Sequence, residues 1–371
     1  MTSVTELLNL VVELDRPFTT DPLLGIEVAP PARADEQTLA WIDDVFGGSW
    51  SSEASAGSTI VARRAGNPIG FATLDPKGLR FAWLDSLGRA PGTGIFGPFG
   101  VAPGERQRGL GRLLLRRALD ALRARGFVRA LIPAVTDERL VRYYADVAGA
   151  RVAERFERTS LYRPARRTLV MVSGNGSNFQ AVLDASRNGA LPIEVAGLIS
   201  NDPHAYAVER ARNAGMESVQ IVSWNRAEED RAAYDARLLE AARSQAPDLV
   251  LLLGWMHLLG ESLVRAFPEM LNLHPSFLPL DPRRDDVVTP DGQTIAAFRG
   301  PRAVRDALAA SSAWVGATIH RVTPATDRGP VFVRRPLRVE PGEDEDRLMV
   351  RVHELERGVV RAGVMRWLYE R

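Results

Sequence analysis

The sequence contains no cysteine, and Lys77 is its only lysine, every other base being arginine. The first absence excludes disulfides, Cys-ligated zinc and thiol nucleophiles together. The second is global, so it reads as the codon bias of a GC-rich genome rather than as phosphate recognition. Long apolar runs are missing too. No segment approaches the ~20 residues of a membrane-spanning helix, and the opening MTSVTELLNLVVELDRPF carries acids where a signal peptide carries bases. A cytoplasmic protein without a membrane partner is expected. Histidine is scarce: His204, His257, His274, His320 and His353 are scattered and form no HExxH, so no protein-ligated metal is expected. A net charge of +1 gives no broad basic surface for nucleic acid. What is present, 45% hydrophobic and 25% charged residues, is ordinary for a soluble globular chain, and 371 residues imply two domains.

The division is expected near RPARR, giving domains at 1–162 and 168–371 with a linker at 163–167. The first half reads as a loop-rich start, a helix around Leu39 to Phe46, then two strands, STIVARR and PIGFATL, around the turn Ala65-Gly66-Asn67-Pro68. IFGPFGV leads into PGERQRGLGRLLLRRALDALRARG, whose leucines from Leu113 to Leu122 recur at helical spacing before Gly126. Strands VRALIPA and ARVAERFERTSLYR flank the helix ERLVRYYADVAG, so a mixed α/β domain is expected. The second half alternates regularly: TLVMVS, IEVAGLIS and PDLVLLLGW read as strands. FQAVLDASRNG, AYAVERARNAG and the long RAEEDRAAYDARLLEAARSQ read as helices. Such alternation gives a doubly wound, mostly parallel sheet, with ligand sites beyond the C-terminal ends of its strands. SGNGSN and LNLHPSFLP fall at two such ends.

In LNLHPSFLP, Asn272 and His274 stand two apart at the end of a strand and project to the same face. An amide that holds an oxyanion and an imidazole that moves a proton suit acyl transfer; two satisfied polar side chains near a sheet edge are the plainer alternative. In SGNGSN the backbone N–H groups of Gly176, Ser177 and Asn178 can meet an anion at a helix start, or the segment is only a tight turn. Asp327, in TDRGP, either caps a turn or reaches His274 and raises its pKa.

These three motifs, in this order and at this spacing, resemble the folate-dependent formyltransferases, most closely the phosphoribosylglycinamide formyltransferase family of purine synthesis, over roughly residues 167 to 371. The resemblance implies a 10-formyltetrahydrofolate donor and the amine of glycinamide ribonucleotide as acceptor. Asn272 would then stabilise the oxyanion, His274 act as acid and base, and Asp327 tune the histidine. Gly176, Ser177 and Asn178 match the acceptor-phosphate loop. Met256, His257 and Leu258 match the folate-binding loop, and Arg231 a base near the donor. Glu356 matches a carboxylate for the acceptor, its alternative being a solvated helix face. The chain departs from the family with His257 in place of an arginine, and with a longer stretch after Pro279 whose Pro290-Asp291-Gly292 reads as a hairpin turn. Formyl transfer to another phosphorylated amine, or to water as in formyltetrahydrofolate deformylase, uses the same Asn-His-Asp set. Methionyl-tRNA formyltransferase shares the Asn-x-His feature more weakly.

In the first half, the strand-to-helix turn Val101 to Gly111 bares successive N–H groups that can cradle a pyrophosphate. It is similar to the acyl-CoA-binding motif of the GNAT acetyltransferases, over about residues 30 to 162. Arg106, Arg108, Gly109, Leu110, Gly111 and Arg112 match the pyrophosphate loop and imply acetyl-CoA as a ligand. Tyr144 matches the position that protonates the departing thiolate, or is a core aromatic. No carboxylate base stands out before the motif, where Pro98 is expected to interrupt the strand. The domain could acetylate an amine, sense acyl-CoA or only pack. The partners expected overall are small molecules.

Overall fold

Turn residues and apolar runs alternate along the chain, and the computed structural model resolves them into two separate seven-stranded sheets. It describes residues 6–47, 50–75, 87–157, 166–188, 190–191 and 193–369. Two units are distinguished: Met1–Arg163 with Met365–Arg371, and Pro164–Val364. Of the expected linker, residues 163–165 lie outside the described residues, while Arg166 and Arg167 already begin a strand. Among the described residues no helix is long and apolar enough to cross a membrane.

The first unit contains β1 (Glu6–Glu13), β2 (Glu27–Val28), α1 (Glu36–Phe46), α2 (Trp50–Ala56), β3 (Ser58–Arg64), β4 (Asn67–Leu74), β5 (Thr93–Val101), α3 (Leu110–Ala124), β6 (Arg129–Val135), α4 (Glu138–Ala148) and β7 (Arg151–Glu157). Its sheet runs β2-β3-β4-β5-β6-β1-β7. The expectation of a loop-rich start fails at β1, which lies antiparallel between β6 and β7. Its near-continuous apolar run suits a strand covered on both faces. The buried Asn9 sits where both registers shift, accepting from Ala134 N at 3.1 Å and donating to Glu154 at 2.7 Å. α1 starts three residues before the expected Leu39, because Asp35 caps it by accepting from Thr38 N at 2.7 Å.

β5 continues through Pro98 rather than being interrupted there. Its pairing with β4 passes from Ala72↔Phe99 to Leu74↔Phe96, so Gly97 and Pro98 share a bulge in which no ladder N–H is needed. On its other side β5 pairs with β6 in parallel only from Thr93 to Ile95. The expected strand ARVAERFERTSLYR is β7 as far as Glu157; the rest lies outside the described residues.

The second unit contains β8 (Arg166–Val172), α5 (Ser177–Arg187), β9 (Ile193–Ser200), α6 (Tyr206–Asn213), β10 (Val219–Ile221), α7 (Arg231–Arg243), β11 (Leu249–Leu253), α8 (Glu261–Ala266), β12 (Met270–His274), β13 (Asp286–Val288), β14 (Thr294–Ala296), α9 (Ala303–Ala309), β15 (Trp314–Arg321), β16 (Val331–Arg338) and α10 (Glu345–Tyr369) as far as Val364. The sheet order is β10-β9-β8-β11-β12-β15-β16. It is parallel from β10 to β12, and β15 runs antiparallel to both β12 and β16. This is the doubly wound, mostly parallel sheet expected. α7 is shorter than expected because Asp230 caps it, accepting from Ala233 N at 2.8 Å. The hairpin expected at Pro290-Asp291-Gly292 is β13 and β14, with Gly292 in the left-handed region at φ 81°.

Candidate functional site

Strand order reverses at β8: the chain adds β9 and β10 on one side, then crosses to place β11 on the other. Connections leaving β8 and β11 therefore diverge, and the gap beyond their C-terminal ends is where ligands bind in such sheets. The two loops are tied across it, Ser173 N donating to Gly254 O at 3.1 Å and Met256 N to Ser173 Oγ at 2.8 Å. α5 starts there with Gly176 as its N-cap, at φ 74° and without a side-chain cap. A Cβ on Gly176 would stand 2.5 Å from that of Ala207, so only glycine lets the start of α6 pack this closely. The uncapped N–H groups of this turn are available to an anion.

Behind the turn, Asn178 Nδ2 donates to Glu356 Oε2 at 2.7 Å, and both side chains are buried. Glu356 is thus no solvated helix face. Burial pushes its carboxyl up to about 7, with the Asn178 bond pulling the other way. Asn178 Oδ1 is buried without a partner, as are Asn201 Oδ1 just after β9 and Trp255 Nε1 just after β11. The last two escaped the sequence reading; orphaned polar atoms at strand ends are what a polar ligand satisfies. Because the folded carboxyl titrates above its unfolded value of 4.5, its contribution to stability is complete below about pH 4.5 and is lost as pH rises through 7. Glu356→Gln should therefore gain up to about 3 kcal/mol on wild type at pH 8.5 and little at pH 4.5, read by urea unfolding at both values.

β12 ends at His274, and its antiparallel register on β15 sets Asn272 opposite His320. The β15–β16 connection brings Asp327 to both. Its Oδ1 accepts from Asn272 Nδ2 at 3.3 Å and lies 3.4 Å from His320 Nε2; its Oδ2 lies 3.6 Å from His274 Nδ1 and accepts from Gly300 N at 2.8 Å. The structure thus joins the three expected residues and adds His320. His320 Nδ1 donates to Arg321 O at 2.9 Å, which leaves Nε2 to accept from Asn272 Nδ2 at 3.3 Å. Both amide protons of Asn272 point inward, so donation to an oxyanion requires one of these bonds to be exchanged. Two residues on from Asp327, a Cβ on Gly329 would fall 1.7 Å from Arg321 O, so the turn closes only on glycine.

His274 is buried with Asp327 at one ring nitrogen and the Phe298 carbonyl, 3.0 Å from Nε2, at the other. Burial lowers its pKa and outweighs the raising effects of Asp327 and Phe298 O, while His320 and Arg299 lower it further. The expectation of a raised pKa is corrected: desolvation wins over a carboxylate that is not in hydrogen-bond range. Burial also pushes Asp327 up, but the imidazoles beside it, His320 before His274, and the Gly300 N–H together hold it well below the usual carboxylate range. A neutral ring donates to one of its two acceptors, whereas an imidazolium satisfies both.

On the other flank Met256 and Leu258 are 57% and 66% exposed, unusual for large apolar side chains beside a crevice. Arg231 bonds to Leu258 O and to Asp235 Oδ1, the latter at 2.7 Å. His257 instead turns inward: its Nδ1 meets Tyr234 Oη at 2.9 Å among Trp224, Tyr234 and Trp255, where burial, then Arg231 and Arg226, lower its pKa.

In the first unit α3 begins after Gly109, at φ 84° with no side-chain cap. Arg106, Arg108, Gly109 and Arg112 are exposed, whereas the Leu110 side chain is core, leaving it only a backbone N–H to offer. Arg106 Nε donates to Val101 O at 3.2 Å, and Arg108 lies 3.9 Å from Glu105. Tyr144 is in the core, edge-on to Phe96, and burial drives its phenol far up. Its neighbour Tyr143 is half-buried, with its ring turned towards the start of α3. Tyr143 Oη has no partner and lies 3.0 Å from where a Cβ on Gly111 would stand; burial pushes this phenol up to about 12 against Arg112 and Arg116. Adjacent helical residues point ~100° apart, and the sequence alone does not fix the phase.

With this geometry in view, the formyl transferase family model matches residues 166–362, and the acetyltransferase (GNAT) family model matches residues 17–150. The phosphoribosylglycinamide formyltransferase of Escherichia coli (strain K12) is 33% identical over 192 residues, 52% of this chain and 82% of that protein. Its namesake from Mycobacterium tuberculosis (strain CDC 1551 / Oshkosh) is 34% identical over 203 residues, 54% of this chain and 84% of that protein. Among solved structures, glycinamide ribonucleotide transformylase 1 from Symbiobacterium toebii shares 34% identity, covering 56% of this chain and 89% of that one, with a TM-score of 0.49.

Proposed function

The chain belongs to the formyl transferase family, and from that premise we propose that its second unit moves the formyl group of 10-formyltetrahydrofolate onto the amine of glycinamide ribonucleotide, a step of purine synthesis. The observation that carries the reading is the meeting of Asn272, His274 and Asp327 at the edge of a crevice that also holds the uncapped α5 turn. The folate supplies a formyl group on a nitrogen that can leave as an amine. Gly176, Ser177 and Asn178 hold the acceptor's phosphate, and Glu356 sits behind them to accept from its polar groups. His274, neutral near pH 7, takes the proton shed by the attacking amine and returns it to the departing folate nitrogen, so no net proton is consumed. The charge of Asp327 and the Phe298 carbonyl stabilise the imidazolium formed between these steps. Asn272, releasing an inner bond, donates to the oxyanion. Met256 and Leu258 cover the donor, with Arg231 and His257 behind them.

The first unit, in this reading, binds acyl-CoA at the α3 turn through Arg106, Arg108, Gly111 and Arg112, with Tyr143 the phenol placed to protonate a thiolate. The enzyme works on soluble metabolites in the cytoplasm. The test is the absorbance change on converting 10-formyltetrahydrofolate to tetrahydrofolate, with and without glycinamide ribonucleotide, alongside an assay for free formate. Turnover that requires the nucleotide and leaves no formate is expected. Formate released without the nucleotide would make water the acceptor and overturn the reading.

A further inference from the structure

Residues 280–297 separate Pro279 from Phe298, Arg299 and Gly300, which return to the site and touch His274 and Asp327. The β13–β14 hairpin in this stretch is pinned at its tip, where Trp314 Nε1 donates to Asp291 Oδ2 at 3.0 Å. Its base is pinned differently. Asp285 forms ion pairs with two arginines at once: Arg299, with Nη1 at 3.0 Å, and Arg328. Arg299 also donates from Nη2 to Arg284 O at 2.7 Å and from Nε to Asp327 O at 3.2 Å. Arg328, the chain neighbour of Asp327, donates from Nη1 to Pro282 O at 3.1 Å. Between these arginines Asp327 adopts φ 52°, the left-handed region that is uncommon for residues with a side chain and that aspartate tolerates better than most.

An isolated surface ion pair contributes little. This one differs, because Arg299 is 13% exposed and its three nitrogens are fixed on two separate stretches of chain, residues 284–285 and Asp327. We propose that Asp285 is a positioning residue for the reaction: through Arg299 and Arg328 it locks the left-handed turn that aims Asp327 at His274 and His320. The longer loop of this chain is thereby the frame of its proton-transfer centre. The kinetic part of the inference rests on the formyl-transfer reading; the structural part does not.

Asp285→Ala is expected to lower kcat by roughly tenfold to 10²-fold, the scale of a ~1 Å misplacement, while KM for donor and acceptor stays within about twofold. Asp285→Glu should restore most of the rate. Asp291→Ala, which frees the hairpin tip without touching either arginine, should leave kcat within about twofold. Independently of turnover, an NMR titration should find the His274 ring of Asp285→Ala titrating lower than in wild type. Of the groups around that ring, Asp327 and the Phe298 carbonyl raise its pKa, and His320 and Arg299 lower it, so misplacing Asp327 removes the main raising one. Loss of rate in Asp291→Ala equal to that in Asp285→Ala, or an unmoved His274 titration with unchanged kcat, overturns the brace. A wild-type enzyme that transfers no formyl group defeats the functional reading alone, and the imidazole titration then still decides the brace.

Discussion

His274→Ala is expected to lower kcat by about 10²–10⁴-fold, the range for loss of a positioned acid–base group, with donor affinity nearly unchanged. The ring lies at the end of β12, whereas the residues assigned to the donor, Met256, Leu258 and Arg231, belong to the β11 connection and α7. The variant should also fold. Asp327 keeps its bonds from Gly300 and Asn272, and the Phe298 carbonyl loses a single donor. Single-turnover rates and equilibrium folate binding, measured on one preparation, check this; wild-type turnover in the variant would remove His274 from the mechanism.

Asp327→Asn should cost about 10²–10³-fold in kcat and change the pH profile in a defined direction. The Asp327 charge raises the His274 pKa, so its removal lets desolvation push the ring still lower, and the acid limb of kcat moves to lower pH. Stability responds oppositely to the case of Glu356. The folded Asp327 pKa lies below its ordinary value of 3.8, so its contribution is present above that value and is lost as pH falls through the folded one. The variant should therefore be less stable than wild type at neutral pH and converge on it in strong acid, as read by urea unfolding from pH 7 downward. A pH profile unchanged in shape would leave Asp327 a structural turn residue.

Local patterns carried much of this site. Asn272 and His274 share one strand, Gly176 to Asn178 share one turn, and the alternation of apolar strands with helices specifies the doubly wound sheet. What escaped depends on register and phase over long separations. His320 meets Asn272 only because β15 pairs with β12 in one register, 48 residues away. Which of Tyr143 and Tyr144 enters the core is set by the helical phase of α4. The sign of the His274 shift follows from how deeply the fold buries the ring, and the return of Phe298 to that ring follows from the closure of an 18-residue excursion, 280–297, by paired charges. β1 was misread because its alternation is blurred by burial on both faces.

That strand also bears on how the protein is made. Residues 6–13 leave the ribosome well before their neighbours in the sheet, residues 129–135 and 151–157. At ~5–20 residues per second, translation keeps β1 waiting roughly ten to thirty seconds for the second of them. Throughout that interval an apolar strand with two bare edges is exposed to solvent and to other nascent chains, the circumstance in which strand edges pair wrongly. The polar ends of β1, Glu6 and Glu13, and the mid-strand Asn9 interrupt its apolar character just where a mispaired strand would extend. The first unit thus closes by pairing an early strand with late ones, and slower elongation lengthens the time β1 spends unpaired.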